Sequence, residues 1–150
     1  TTLFRSPTFI ATNSATTTMT GATWTKAAGS TEVADTNSNY NNTASTVGGV
    51  PGYAFLPTVA GYYQVNMSVT EGATTNSTGG LVSIYKNGVS ALVGGGTYNA
   101  SASSNWFVST SGILYMNGTT DYVEAYVWSS GTGTVSYTLY NFSASLIRAA

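Results

Sequence analysis

The chain has 150 residues, of which four are basic and five acidic, and it contains neither histidine nor cysteine. The scattered basic residues exclude a basic patch for nucleic acid, and the missing cysteine excludes disulfides and Cys/His zinc sites. No apolar run approaches the roughly 20 residues needed to span a bilayer, so no membrane insertion is expected. The abundance of Thr, Ser, Gly, Asn and Tyr, with a substantial apolar fraction, favours an all-β protein with polar loops.

The first third of the chain is the least regular. Thr8–Thr12 and Thr23–Ala27 are predicted as short strands, and the polar stretch Ser30–Gly49 is predicted as a loop. No window places apolar residues at helical spacing over several turns, here or later in the chain. The sequence therefore predicts no helix.

Apolar and polar residues alternate most clearly from Tyr62 to Thr70. The next predicted strand, Leu81–Lys86, ends at Asn87 and Gly88, a pair typical of a tight hairpin turn. Asn117-Gly118 and the Gly131/Gly133 region mark later turns. The strands predicted around these turns are Phe107–Met116, Asp121–Trp128 and Val135–Arg148.

Many short strands separated by turns indicate a single antiparallel sandwich or barrel over residues 1–150. Alternation also divides each strand into a core side and an outer side. The predicted core residues are Phe55, Tyr63, Val65, Met67, Val82, Ile84, Leu114, Met116, Val123, Val127, Phe142 and Leu146.

One segment resembles the central signature of the C1q globular-head family, which is Phe, five residues, Gly, one residue, Tyr, one residue and an aromatic. Phe55, Gly61 and Tyr63 match it, whereas Val65 stands at the final aromatic position. Three later segments resemble further family motifs in the same order. They are Val82–Gly88, Gly112–Val123 and Phe142–Ile147, which together extend the resemblance over about residues 50–148.

The resemblance implies an all-β, two-sheet antiparallel jelly-roll sandwich of the C1q/TNF-like type and a tight homotrimer. It also implies a binding role at the end of a stalk. The chain is accordingly expected to be the C-terminal part of a longer stalked protein.

Three predicted strands carry apolar residues on the side opposite the core, where contact with water would favour polar ones. By the resemblance, these strands are neighbours in the sheet that faces the threefold axis. The trimer-interface residues predicted on this basis are Tyr62, Gln64, Ile113, Tyr115 and Ile147.

Aromatic residues in or beside loops are the candidates for binding a ligand, which is expected to be a cell-surface carbohydrate because flat rings and amides suit neutral sugars. The alternative is that these rings cap the ends of the sandwich. Trp106 and Tyr98 are the first candidates, followed by Trp24 and Tyr40.

Catalysis is not expected, and no catalytic residue is assigned. Without histidine a Ser-His-Asp triad is impossible, and Asp121 and Glu124, three apart on a strand, point to opposite faces. Glu32 and Asp35 lie in a polar stretch. No metal ligands or cofactor are predicted, although calcium stays open because some C1q-like heads bind it.

The low charge and the Thr/Ser/Gly/Asn-rich composition resemble virion fibre and capsid-attached domains of bacteriophages. The first functional hypothesis is therefore a structural and host-attachment module on the virion surface. The alternative is the tip of a bacterial spore-surface or cell-surface filament. In both cases the expected partners are further copies of the chain and a stalk.

Overall fold

The computed structural model describes residues 6–72, 79–97 and 106–150, and these residues form ten strands and no helix. Alternating apolar and polar residues account for the strands, since each strand directs successive side chains to opposite faces. The strands are β1 (Thr8–Thr20), β2 (Thr25–Lys26), β3 (Thr31–Asp35), β4 (Ala54–Phe55), β5 (Gly61–Glu71), β6 (Gly79–Lys86), β7 (Val89–Thr97), β8 (Trp106–Met116), β9 (Val123–Ser129) and β10 (Thr134–Ala149).

Two antiparallel sheets form the sandwich. Sheet A has the strand order β3-β1-β10-β5-β8, and sheet B has the order β2-β9-β6-β7, with β4 also paired to β9. Strands that are distant in sequence are therefore neighbours in each sheet. The predicted two-sheet antiparallel jelly roll is confirmed.

Strand β5 lies between β10, the central strand of sheet A, and β8, the last strand in its order. Its pairing with β8 runs from Gly61 opposite Met116 to Glu71 opposite Trp106 without a register shift. Its pairing with β10 shifts twice, between Leu139 and Asn141 and between Leu146 and Arg148. These irregularities lie in β10, so β5 and β8 present an uninterrupted outer face.

The core between the sheets is rich in aromatic side chains. The ring of Phe9 stacks on Tyr40 at 4.7 Å and on Phe55 at 4.5 Å, and meets the edge of Phe142 at 4.9 Å. The predicted core residues are buried, except that Leu114 and Leu146 are partly buried and pack against the core.

The hairpin between β6 and β7 turns at Asn87 and Gly88, which both have positive φ, 53° and 78°. This is the conformation of a type I′ turn, which the Asn-Gly pair favours. The turn is fixed further by the Asn87 side chain, whose Oδ1 accepts from the Tyr122 N–H at 3.0 Å. The predicted hairpin is confirmed.

The N-terminal third differs from the sequence prediction. Strand β1 continues to Thr20, beyond the predicted end at Thr12, and residues Thr31–Asp35 of the predicted loop form β3 at the edge of sheet A. Edge position explains the missing signal, because much of β3 is exposed and lacks an apolar alternation. The described residues contain no helix suited to crossing a membrane.

Candidate functional site

The outer face of sheet A carries the predicted interface residues, which we call the tyrosine face: Tyr62, Gln64, Ile113, Tyr115 and Ile147. Tyr62 pairs directly with Tyr115, and Gln64 pairs directly with Ile113. Ile147 lies in the β10 bulge, next to Arg148, which pairs with Tyr62. The structure thus brings all five residues together on three neighbouring strands.

The tyrosine face is unusually apolar for an exposed sheet surface. The exposed fractions are 48% for Tyr62, 57% for Ile113, 43% for Tyr115 and 55% for Ile147. Lys86 borders this cluster, because its Nζ donates to the Tyr115 carbonyl at 2.7 Å. The positive charge is itself compensated by Asp121, whose Oδ2 lies 2.9 Å from the Nζ.

A second aromatic pair lies at the other end of the same face, and it was missed in the sequence prediction. The rings of Phe107 and Tyr140 stack at 5.2 Å, and both side chains are exposed. Phe107 could have been found from the sequence, since it shares the odd-numbered side of β8 with Ile113 and Tyr115. Tyr140 could not, because it lies within a β10 register shift.

Between these apolar ends the face is polar. Gln64 Nε2 donates to Asn66 Oδ1 at 3.1 Å, and Asn66 Nδ2 donates to the Ser143 hydroxyl at 3.4 Å. Asn141 Nδ2 also donates to the Ser143 hydroxyl, at 3.2 Å. These amides therefore form a belt of side chains that already bond to one another across β5 and β10.

Of the four predicted ligand-binding aromatics, the structure describes the side chains of Tyr40 and Trp24. Tyr40 is 7% exposed, its ring stacks on Phe9, and its hydroxyl donates to the Gly29 carbonyl at 2.9 Å. Burial also raises the pKa of Tyr40 far above its ordinary value. Tyr98 and the side chain of Trp106 lie outside what the structure describes. Trp24 is half-buried beside Tyr85, at a centroid distance of 6.1 Å.

Trp24 belongs to a group of rings on the outer face of sheet B, which we call the sheet B row: Trp24, Tyr85, Tyr126 and Trp128. Tyr85 and Tyr126 stack at 4.0 Å with their planes 22° apart. Tyr126 and Trp128 alternate along β9 with the core residues Ala125 and Val127, and all four rings of the row are half-buried. The row therefore lies on the opposite side of the sandwich from the tyrosine face.

The charged groups around the sheet B row are paired. Lys26 Nζ forms an ion pair with the buried carboxylate of Glu124, and it also donates to the Gly52 carbonyl at 3.3 Å. Burial, and then the Glu124 carboxylate, raise the pKa of the Tyr126 phenol. Near physiological pH the phenol is neutral, and it can both donate and accept hydrogen bonds.

The remaining carboxylates are dispersed. Asp121 accepts hydrogen bonds from Asn87 Nδ2 at 2.7 Å and from the Asn117 N–H at 3.0 Å, in addition to its lysine. Glu71 is buried and accepts a hydrogen bond from the Ser129 hydroxyl. Within residues 6–72, 79–97 and 106–150, acidic side chains form no group of three that could hold a metal ion.

Comparison with known proteins gives similarity in structure but not in sequence. No protein-family profile matches the chain, and no curated protein sequence matches it. The globular domain of zebrafish complement 1qA superposes with a TM-score of 0.66 at 14% identity, and the match covers 96% of this chain and 99% of that one.

Two TNF-type structures are similar over nearly the same length. Eiger TNF from S. frugiperda gives a TM-score of 0.59 at 8% identity, covering 98% of this chain and 94% of that one. Murine APRIL, in a structure at pH 8.0, gives a TM-score of 0.59 at 10% identity, covering 95% of this chain and 100% of that one. The described residues form two antiparallel sheets and no helix. Together with these structural similarities, this establishes that the chain has the C1q/TNF-like jelly-roll fold.

Proposed function

We propose that this chain is a non-enzymatic, trimeric structural and binding module that sits at the tip of a bacteriophage fibre or on the capsid. Its task there is attachment to carbohydrate on the host cell surface. The tyrosine face is the observation that carries this proposal. The proposal of a viral location rests on the low charge and the Thr/Ser/Gly/Asn-rich composition.

The tyrosine face supports association because four large apolar side chains are exposed side by side. A sheet face that meets water is normally polar, whereas contiguous apolar patches on a protein surface usually mark an interface. In a threefold assembly each residue contributes three times, so Tyr62 and Tyr115 face their own copies around the axis. The stacked pair Phe107 and Tyr140 extends the apolar surface at the far end.

The polar belt between the two apolar ends is compatible with burial between copies. Buried amides are costly unless they are hydrogen-bonded. Asn66 and Asn141 already donate to the Ser143 hydroxyl within one copy. Association would therefore leave few polar groups without a hydrogen bond at the centre of the interface.

The positions of Pro7 and Ala150 suit a stalked module. The Pro7 carbonyl accepts from the Leu146 N–H at 3.0 Å, and the Ala150 N–H donates to the Ala60 carbonyl at 3.0 Å. Pro7 and Ala150 thus both lie at the end of sheet A that carries Tyr62. A stem joined there would leave the opposite end of the sandwich farthest from it, free to contact a cell.

Binding is favoured over catalysis because two of the carboxylates are engaged in ion pairs. Asp121, just before β9, and Glu124, within it, are each held by a lysine. A trimer suits attachment, because three weak sites on one particle act together through their high effective concentration.

Antibody labelling of the parent particle in negative-stain electron microscopy tests the location. The proposal expects label on fibre tips or capsids of phage particles. Label on bacterial spore or cell-surface filaments would replace the viral assignment with the filament alternative. The same particles should attach to intact host cells and should fail to attach to host cells stripped of surface polysaccharide.

A further inference from the structure

The sheet B row has no role in the proposed trimer, because it lies on the outer side of the opposite sheet. Three of its rings are nevertheless in contact: Trp24 lies beside Tyr85, and Tyr85 stacks on Tyr126. Trp128 follows two residues after Tyr126 on the same side of β9, about 7 Å further along the strand. When copies cover the tyrosine face, this aromatic surface still meets solvent.

A cavity of about 300 Å³ opens beside Trp128. Its lining includes Leu81 and Ser130, and the rest is backbone without side chains at Gly79, Gly80, Gly95 and Gly96. Among the described residues that line the cavity, Trp128 is the one aromatic side chain, and it stands beside glycine backbone. Concave, mostly apolar sites with a few polar groups are the usual form of small-ligand sites.

The electrostatics of this face favour an uncharged ligand. The charged side chains of sheet B and its adjoining turn form two ion pairs, Lys26 with Glu124 and Lys86 with Asp121. No charge remains uncompensated there to attract a phosphate, a sulfate or a carboxylate. The polar groups on offer are neutral hydroxyls, such as those of Tyr85 and Tyr126.

We propose that the sheet B row and the adjoining cavity bind a neutral oligosaccharide, with a sugar ring against Trp128 and the following units along Tyr126, Tyr85 and Trp24. The apolar faces of sugar rings match the indole and phenol rings, and their hydroxyls match the neutral hydroxyls at the edges. This inference rests on the proposed function and assigns its carbohydrate site. It moves the site from the loop aromatics to one face of sheet B and keeps only Trp24 of the four sequence candidates.

Affinity electrophoresis of the purified protein tests the site. Native gels would contain a soluble β-glucan, a mannan or a galactan, with polygalacturonate and heparin gels as charged counterparts. The wild type should be retarded in at least one neutral gel and unaffected by the charged ones. Trp128→Ala and Tyr126→Ala should weaken that retardation by roughly tenfold or more in apparent Kd. Val89→Ser, a change at an exposed apolar residue of the same sheet outside the row, should leave it unchanged.

Two milder variants keep the test meaningful if the alanine variants do not fold. Trp128→Phe retains a ring, and Tyr126→Phe removes only a hydroxyl. Adding the retarding polysaccharide should shift the tryptophan emission of the wild type, and Trp128→Phe should lose most of that shift. A purely structural Trp128 would not produce this spectroscopic change.

The outcomes separate this inference from the function it rests on. Free migration of the wild type in every neutral gel, or retardation only in the charged gels, overturns the inference and leaves the trimer intact. Retardation that survives every change in the row overturns the location of the site but keeps carbohydrate attachment. A wild type that is monomeric by mass yet retarded through the row supports the site and refutes the trimer.

Discussion

Tyr62 and Tyr115 lie directly opposite each other on β5 and β8, and their ring centroids are 5.5 Å apart with the planes tilted by 62°. Edge-to-face contact of this kind stabilises a cross-strand pair. The two rings are already fixed against each other while about half of each remains exposed. The pair is thus a preformed apolar projection at one end of the proposed contact between copies.

Tyr115→Asp should dissociate the proposed trimer. A carboxylate on this face would repel its copies around a threefold axis and would be desolvated on association. Size-exclusion chromatography with light scattering should give monomer, or the protein should become insoluble. Val89→Asp, which places the same charge on an exposed apolar residue of sheet B, should keep the wild-type mass. A Tyr115→Asp protein with unchanged mass would refute the role of this face.

Tyr40 should behave as a core residue. Tyr40→Ala removes a buried ring that stacks on Phe9 and should cost about 3–5 kcal/mol of the free energy of unfolding. Tyr40→Phe loses only the hydrogen bond to the Gly29 carbonyl and should cost about 1 kcal/mol. Urea denaturation measures both. Loss of carbohydrate binding in Tyr40→Phe without loss of stability would contradict the structural role.

Much of the fold could be predicted from local alternation. Residues of β5 and β9 alternate between core and outer side, so Tyr63 and Val127 could be assigned to the core from the sequence. The Asn87-Gly88 turn is equally local, because it depends on the φ preferences of two adjacent residues. The order of strands within each sheet does not follow from alternation, and the family resemblance supplied only the expectation that three of them are neighbours in one sheet.

Tertiary contacts decide what the sequence could not reveal. Tyr40 lies in an irregular segment, and only its packing against Phe9 from a distant strand shows that it is buried. The sheet B row could be seen in part, since Tyr126 and Trp128 share one side of β9. The contacts of Trp24 and Tyr126 with Tyr85 depend on the pairing of separate strands. That pairing cannot be inferred from residue spacing along the chain.

Two glycines with similar positive φ should differ in their tolerance of alanine. Gly118 and Gly133 have φ of 72° and 78°, so alanine at either position should cost about 1 kcal/mol of backbone strain. A Cβ at Gly118 would also collide with the backbone of Ala60, whereas one at Gly133 meets nothing within 4 Å. Thermal melting should therefore show Gly118→Ala to be the less stable variant, by roughly 1–3 kcal/mol more. Equal losses would contradict the close approach at Gly118.

Acid should destabilise the protein partly through Asp121. Burial alone would raise the pKa of Asp121, but hydrogen bonds from Asn87, Lys86 and the Asn117 backbone outweigh burial and hold it below its ordinary value. A lowered folded-state pKa adds stability above the unfolded-state pKa, and this stability is lost as the pH falls through the folded-state pKa. Asp121→Asn should be less stable than wild type at pH 7 and should lose less stability between pH 5 and acidic pH, as denaturation in urea at several pH values would show. Parallel curves would contradict the assignment.

The mass of the wild-type chain in solution tests the central claim most directly. Sedimentation equilibrium at micromolar concentration should give three times the chain mass of 15.5 kDa, without a concentration-dependent monomer fraction. A soluble, well-folded monomer of 15.5 kDa under the same conditions would contradict the trimer and the multivalent attachment that depends on it.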